Sequence, residues 1–147
     1  MASFTFAAHV AAPIEVTFDV LTDHTGYASI TPLRSVTIER EGVPPPNGVG
    51  AVRVLKAIGP PIREEITSYE RPTRFAYRLL SGAPVRDHAG EVELTAEGDG
   101  TRMVYNLKTT PTVPVVGRVV TEVARAAVQQ LFSGIGKEAE RRARAGS

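Results

Sequence analysis

Apolar and polar positions follow two periods along this chain. From Phe4 to Val10 they alternate, with Phe4, Phe6, Ala8 and Val10 in one phase and Ser3, Thr5, Ala7 and His9 in the other. A period of two marks a half-buried strand and puts His9 on the solvent side. Pro13 fits the first position of a helix, where its missing N–H costs nothing, and Ile14, Val16, Phe18, Val20 and Leu21 make that helix short and apolar. Asp23-His24-Thr25-Gly26 ends it, and a second helical turn around Tyr27 to Ile30 stops at Pro32. The period of two then returns in Val36–Arg40, Ala51–Ala57, Arg63–Tyr69, Phe75–Leu80, His88–Ala96 and Arg102–Thr109. Between these runs lie Gly42 with the rigid Pro44-Pro45-Pro46-Asn47-Gly48, then Gly59-Pro60-Pro61, Glu70-Arg71-Pro72, Ser81-Gly82-Ala83-Pro84 and Glu97-Gly98-Asp99-Gly100. Such hairpin-sized, turn-forming gaps pair consecutive strands antiparallel, and with the N-terminal strand they predict seven strands.

The second period, in steps of three and four, occupies the C-terminal run from Val115 to Ala145. As one helix it reaches about 45 Å at the α-helical rise per residue. Val116, Val120, Val123, Ala127, Leu131 and Ile135 fall on one side, with Arg118, Glu122, Arg125 and Gln129 largely on the other. That apolar face needs a partner, and strands are what the rest of the chain offers. The expected fold is therefore α+β, a curved antiparallel sheet wrapped against the long helix. Gly134 and Gly136 interrupt the apolar row, each at a cost of about 1 kcal/mol relative to alanine in a helix interior. Three readings follow: the helix ends there and its charged tail frays, the glycines admit a closely packed strand, or the helix bends and its end moves as a lid.

Composition narrows the class. The 147 residues read as a single domain, residues 1–147, whose 42% hydrophobic and 22% charged content is that of an ordinary globular chain. The absence of cysteine excludes disulfides, thiolate metal sites and thiol nucleophiles. A net charge of +1 gives no general attraction to nucleic acid, and Lys137, Arg141, Arg142 and Arg144 alternate with Glu138 and Glu140 as on a solvated helix end. No apolar run approaches the roughly 18 residues of a bilayer span, and the N-terminus lacks the basic and apolar regions of a signal peptide. Stable membrane insertion is not expected, and the default location is cytoplasmic. His9, His24 and His88 have no carboxylate at metal-ligand spacing, and Gly48-Val49-Gly50 precedes a strand instead of opening a helix. No metal and no cofactor are expected.

The order strand, two short helices, six hairpin-connected strands and long C-terminal helix resembles the START-like or Bet v 1-like proteins of the SRPBCC superfamily, in the polyketide cyclase/dehydrase and lipid transport branch. The residues that carry the resemblance are Ala12-Pro13 before Val16-Thr17-Phe18 and Asp23, then Tyr27 and Pro32, Gly48-Val49-Gly50 with Arg53, Glu65 near Ile66, Arg71-Pro72-Thr73-Arg74-Phe75-Ala76-Tyr77, and Gly100-Thr101-Arg102. The resemblance implies the helix-grip fold. It implies no single function, because such folds host hydrolases, cyclases, carriers and receptors. Where many relatives have a tryptophan shortly after the position of Tyr27, this chain has Ile30, and it contains no tryptophan.

Strand parity names the residues of the interior. With each hairpin centred on its turn, Arg53 lies opposite Glu64, Glu64 opposite Leu79, Leu79 opposite His88, and His88 near Thr109, all on one face. The same face carries Leu55, Ile66, Phe75, Tyr77, Val92, Leu94, Met103, Tyr105 and Leu107, an apolar majority that makes it the inner one. Glu65, which the resemblance favours, faces outward by parity. The expected ligand-contacting set is Tyr27, Arg53, Glu64, Ile66, Phe75, Tyr77, Leu79, His88, Val92, Met103, Tyr105 and Leu107, with Val123, Ala127 and Leu131 from the helix. Three functions fit. The first is binding or transport of a small hydrophobic molecule, lipid- or polyketide-like, between sheet and helix. The second is a cyclase in which Arg53 polarises a carbonyl and His88 moves a proton. The third is a protein-interaction module with a vestigial cavity, resting on the helix end and the Pro44-Pro45-Pro46 loop.

Overall fold

The computed structural model describes residues 1–146. Strand β1 (Ala2–Val10) leads into helix α1 (Ile14–Leu21) and a short 3-10 helix, His24–Ser29. Six strands follow: β2 (Ser35–Arg40), β3 (Val52–Lys56), β4 (Ile62–Glu70), β5 (Arg74–Ser81), β6 (Val85–Glu97) and β7 (Gly100–Pro111). Helix α2 (Gly117–Ala145) closes the chain. Pro13 stands just before α1 as its N-cap and is not its first helical residue.

The strands form one antiparallel sheet in the order β1-β7-β6-β5-β4-β3-β2. Hairpins join neighbours from β2 to β7, and β1 reaches across to pair with β7 from Ala2↔Thr109 to Val10↔Thr101. Turn centres set the register: Arg53 pairs with Glu64, and Glu64 with Leu79. Gly82 shows why one turn needs glycine. Its φ is +108°, and a Cβ there would lie 2.1 Å from the Pro61 carbonyl oxygen. The sheet's inner face presents Ile66, Phe75, Tyr77, Val92, Met103 and Leu107, which share one apolar cluster with Phe18 and Leu21 of α1 and with Val128, Phe132 and Ile135 of α2. A second, smaller cluster gathers Tyr27, Val36 and Leu55, and Ile30 and Leu131 pack against both. This is the helix-grip arrangement.

The packing face of α2 keeps Ile135 of the expected row and otherwise differs from it. Its buried positions are Gly117, Val128, Phe132, Ile135 and Ala139, so that over residues 127–132 the face is rotated by one position. Val116 and Ala127 are exposed, Val123 is 64% exposed, and Leu131 is only half-buried. Phe132 decides the rotation. Its ring meets Phe6 at 5.9 Å and Tyr105 at 6.4 Å, and burying a side chain of that size contributes about 2–3 kcal/mol, more than an alanine at 127 offers.

The helix runs unbroken past both glycines, and its end is docked, not frayed. Arg142 reaches Asp23 at 3.2 Å, and the Ala11 N–H donates to Glu140 Oε2 at 2.9 Å. Hydrogen bonds from Arg141 and Arg142 hold the Glu138 carboxyl down to about 2. Gly134 is where the Ile30 backbone meets the helix, since a Cβ there would stand 2.5 Å from the Ile30 carbonyl oxygen. The close neighbour is therefore a loop, not a strand. At Gly136 a Cβ would meet only a Val10 methyl at 3.7 Å.

The two glycines therefore respond oppositely to alanine. Gly134→Ala lowers stability by about 1–3 kcal/mol through overpacking. Gly136→Ala leaves it unchanged or raises it by up to about 1 kcal/mol through helix propensity. Urea denaturation of the two single variants reads the difference, and equal shifts would remove the role given to the Ile30 contact.

Candidate functional site

Arg53 organises the interior. Parity points it inward from β3, where it is 1% exposed, the bulkiest of the fully buried side chains. Its Nε and Nη2 donate to Glu64 Oε1 at 2.9 and 2.8 Å, and its Nη1 donates to His24 Nδ1 at 3.1 Å. The guanidinium carbon lies 4.6 Å from the ring centre of Tyr77, 5.3 Å from Tyr27 and 5.7 Å from Phe75, so three aromatic faces replace its hydration shell. Burial opposes its charge, but the Glu64 carboxylate beside it outweighs that and holds it protonated.

The sequence places His24 in a helix stop, and the structure gives it a structural role at the centre of the site. Arginine can only donate, so His24 Nδ1 must accept, which puts the ring proton on Nε2, where it donates to the Asn47 carbonyl at 3.3 Å. The ring is thus neutral. Burial, and then the positive charge of Arg53, push its pKa well below the ordinary histidine value. The signal in the sequence is the spacing of His24 and Tyr27, three apart, which eclipse in a 3-10 turn and are both fully buried.

A second polar level lies beside the first. Tyr77 and Tyr105 share a hydroxyl–hydroxyl hydrogen bond of 2.5 Å, and burial raises both pKa values, so both stay protonated. His88 Nδ1 lies 3.0 Å from Thr109 Oγ1, and its ring is 6.4 Å from that of Tyr77. His88 is half-buried, and desolvation lowers its pKa against the attraction of Glu64. Arg53, Glu64, Tyr77, Tyr105, His88 and Thr109 therefore form one continuous polar band in an apolar interior, with Leu79 half-buried alongside. Glu65 lies outside, held by Arg40 at 2.9 Å and Arg78 at 2.7 Å, as parity required.

The interior around Arg53 is packed. Ile66, Phe75, Tyr77, Val92, Met103, Tyr105 and Leu107 are all buried. Open space lies to one side, in a cleft of 660 Å³ between Ser29–Pro32 and the stretch of α2 from Ala126 to Lys137. None of the residues expected to contact ligand lines it. Its walls are Ile30, Thr31, Ala126, Gln130, Ser133 and Gly134 with their neighbours, and Ile30, which packs on both apolar clusters, stands on the inner wall. Among the described residues there is no cluster of three potential metal ligands and no helix long and apolar enough to cross a membrane.

The family model described as polyketide cyclase/dehydrase and lipid transport matches residues 1–140. The chain belongs to that family. Comparison with curated proteins gives no match. Among solved structures, a START superfamily protein from Mycobacterium smegmatis superposes with a TM-score of 0.78 at 15% identity, covering 99% of both chains. The Zhui aromatase/cyclase from a Streptomyces species gives 0.72 at 21% identity, covering 99% of this chain and 98% of the other. The di-domain aromatase/cyclase StfQ of the steffimycin biosynthetic pathway gives 0.78 at 15% identity, this chain spanning 52% of it. At these identities the likeness is one of fold. In this member of the polyketide cyclase/dehydrase and lipid transport family, the centre of the interior is Arg53 held by Glu64 and a neutral His24.

Two outcomes follow from the band. Glu64→Gln leaves a buried guanidinium without its counter-charge and costs about 3–5 kcal/mol, whereas Arg53→Met with Glu64→Leu costs less than either single change. A chemical-denaturation double-mutant cycle measures both. His24 and His88 give a pH signature: with folded pKa values below the unfolded value of about 6.5, their contribution is complete above that pH. It is lost as pH falls from about 6.5 toward their lowered folded values, so stability declines on acidification through that range. Removing the proton-binding ring in His24→Gln flattens that decline, and an unchanged slope would mean His24 is not the buried neutral group.

Proposed function

We propose that the protein binds a small, largely apolar molecule, lipid- or polyketide-like, between α2 and the sheet, admitted through the cleft beside Ile30. The observation that carries this reading is that Ile30 both lines the cleft and packs on the two apolar clusters, so the cleft's inner wall is continuous with the interior. Gln129, Gln130, Ser133 and Lys137 on the outer wall supply donors for a carbonyl or carboxylate end, while the apolar body faces inward. Deeper contacts with Arg53, Tyr77 and Tyr105 need the Tyr27 or Tyr77 ring to swing aside, since those rings cover the guanidinium.

A cyclase or dehydrase acting on the same ligand is the second reading. Family membership supports it, as does His88, the histidine of the polar band that is both neutral at pH 7 and partly open. Its Nε2 is the free ring nitrogen for a proton relay once Nδ1 is engaged with Thr109.

Displacement of a fluorescent fatty-acid probe, with native mass spectrometry of the gently purified protein, tests the first reading. Ala126→Trp, on an exposed wall of the cleft, weakens probe binding by about tenfold without unfolding the chain. Absence of binding across a lipid and aromatic panel would reject the reading, and undiminished binding in the tryptophan variant would reject the cleft. For the second, His88→Ala keeps the fold and ligand binding but loses turnover of a linear poly-β-ketone thioester. Full turnover in that variant would strip His88 of its role.

A further inference from the structure

One end of the molecule is apolar at its tips and basic around them. Three loops meet there. The β5–β6 turn lies against the β3–β4 loop at Gly82 and Pro61, and the Thr112 N–H donates to the Pro84 carbonyl at 2.9 Å, joining that turn to the link into α2. From these loops and the start of α2 project Ile58, 97% exposed, and Val115, 93% exposed, with Val113, Val116 and Val119 beside them. Leu80 and Val123 flank the group. Among the described residues, the exposed large apolar side chains at the opposite end are only Val43 and Val49.

Charge is also unevenly placed. Arg34, Lys56, Arg86, Lys108 and Arg118 are exposed around these tips, and among the described residues none of them has an ion-pair partner. The nearby acids Glu39 and Glu122 are already paired with Arg63 and Arg125, which among the described residues leaves Asp87 as the exposed carboxylate without an ion pair at this end. The net charge of +1 conceals this asymmetry.

We propose that this end docks on an anionic lipid bilayer, its apolar tips entering the headgroup layer and its basic ring meeting lipid phosphates. The geometry favours a bilayer over a protein partner. The apolar side chains stand on separate projections, and a fluid surface accepts projections of any arrangement, whereas a folded partner needs a matching pocket for each. Unpaired cations around the tips supply the attraction that an apolar tip alone lacks, and this attraction is screened by salt. The docking is peripheral and does not rest on any ligand within the cleft.

Flotation with phosphatidylcholine vesicles, with and without about one-third phosphatidylglycerol, tests it. The wild type floats with the anionic vesicles at low salt and is released at high salt. Ile58→Asp with Val115→Asp lowers the bound fraction by about tenfold, as does Lys56→Glu with Arg118→Glu. All four positions are exposed, so thermal melting of these variants stays near wild type. Failure of the wild type to float, or flotation unaltered in both variants, would overturn the proposal. So would a wild-type dimer, by light scattering, that Ile58→Asp with Val115→Asp converts to monomer, because the same surface would then be occupied by a second copy of the chain.

Discussion

The charge of Arg53 is the constraint around which the interior is arranged. A guanidinium out of water needs a counter-charge and acceptors, and the fold supplies its surroundings from three elements: Glu64 from β4, His24 and Tyr27 from the 3-10 helix, Tyr77 and Phe75 from β5. Each contact fixes something a purely apolar core would leave loose. The Glu64 bond sets β3 against β4, and the His24 bond places the 3-10 helix over the sheet. An oily contact of equal area tolerates sliding; a forked donor with directional partners does not.

That arrangement also determines which chemistry the interior offers. With Nε, Nη1 and Nη2 each engaged and three rings over the guanidinium, Arg53 acts first on its own neighbours. The tyrosine pair is locked in the protonated state by burial. What remains near solvent is His88 and the cleft beside Ile30, and a functional account must start from these.

Much of this was legible in the sequence. Alternation and turn residues located all seven strands, and centring hairpins on their turns put Arg53 opposite Glu64 because two-residue parity leaves no intermediate choice. A helix gives no such discrete choice. The run from Val115 to Val123 is valine-rich on more than one side, so its apolar row suggested a face that the later aromatic, Phe132, turns away by one position. His24 was harder to read for another reason: its three-residue spacing from Tyr27 is a single step inside a turn-like tetrapeptide, and it becomes a shared face only once the segment folds as a 3-10 helix. The cleft was illegible because it is a gap between a loop and a helix, and its key contact, Gly134 with the Ile30 carbonyl, involves no side chain on the glycine at all.

The anchoring of α2 is lopsided. From Val128 onward it is held by Phe132, Ile135 and Ala139 in the core and by Arg142 and Glu140 at its far end. Between its first residue and Val128 only Gly117 is buried. Mechanically the helix is a cantilever, clamped at the C-terminal end and resting lightly at the other. Tilting its free end breaks few contacts, while moving its clamped end breaks an ion pair, a backbone hydrogen bond and the aromatic packing together. The grip of this fold therefore loosens first where the sheet's hairpin loops and the exposed valines are, and the stretch past Gly134 serves as its fulcrum.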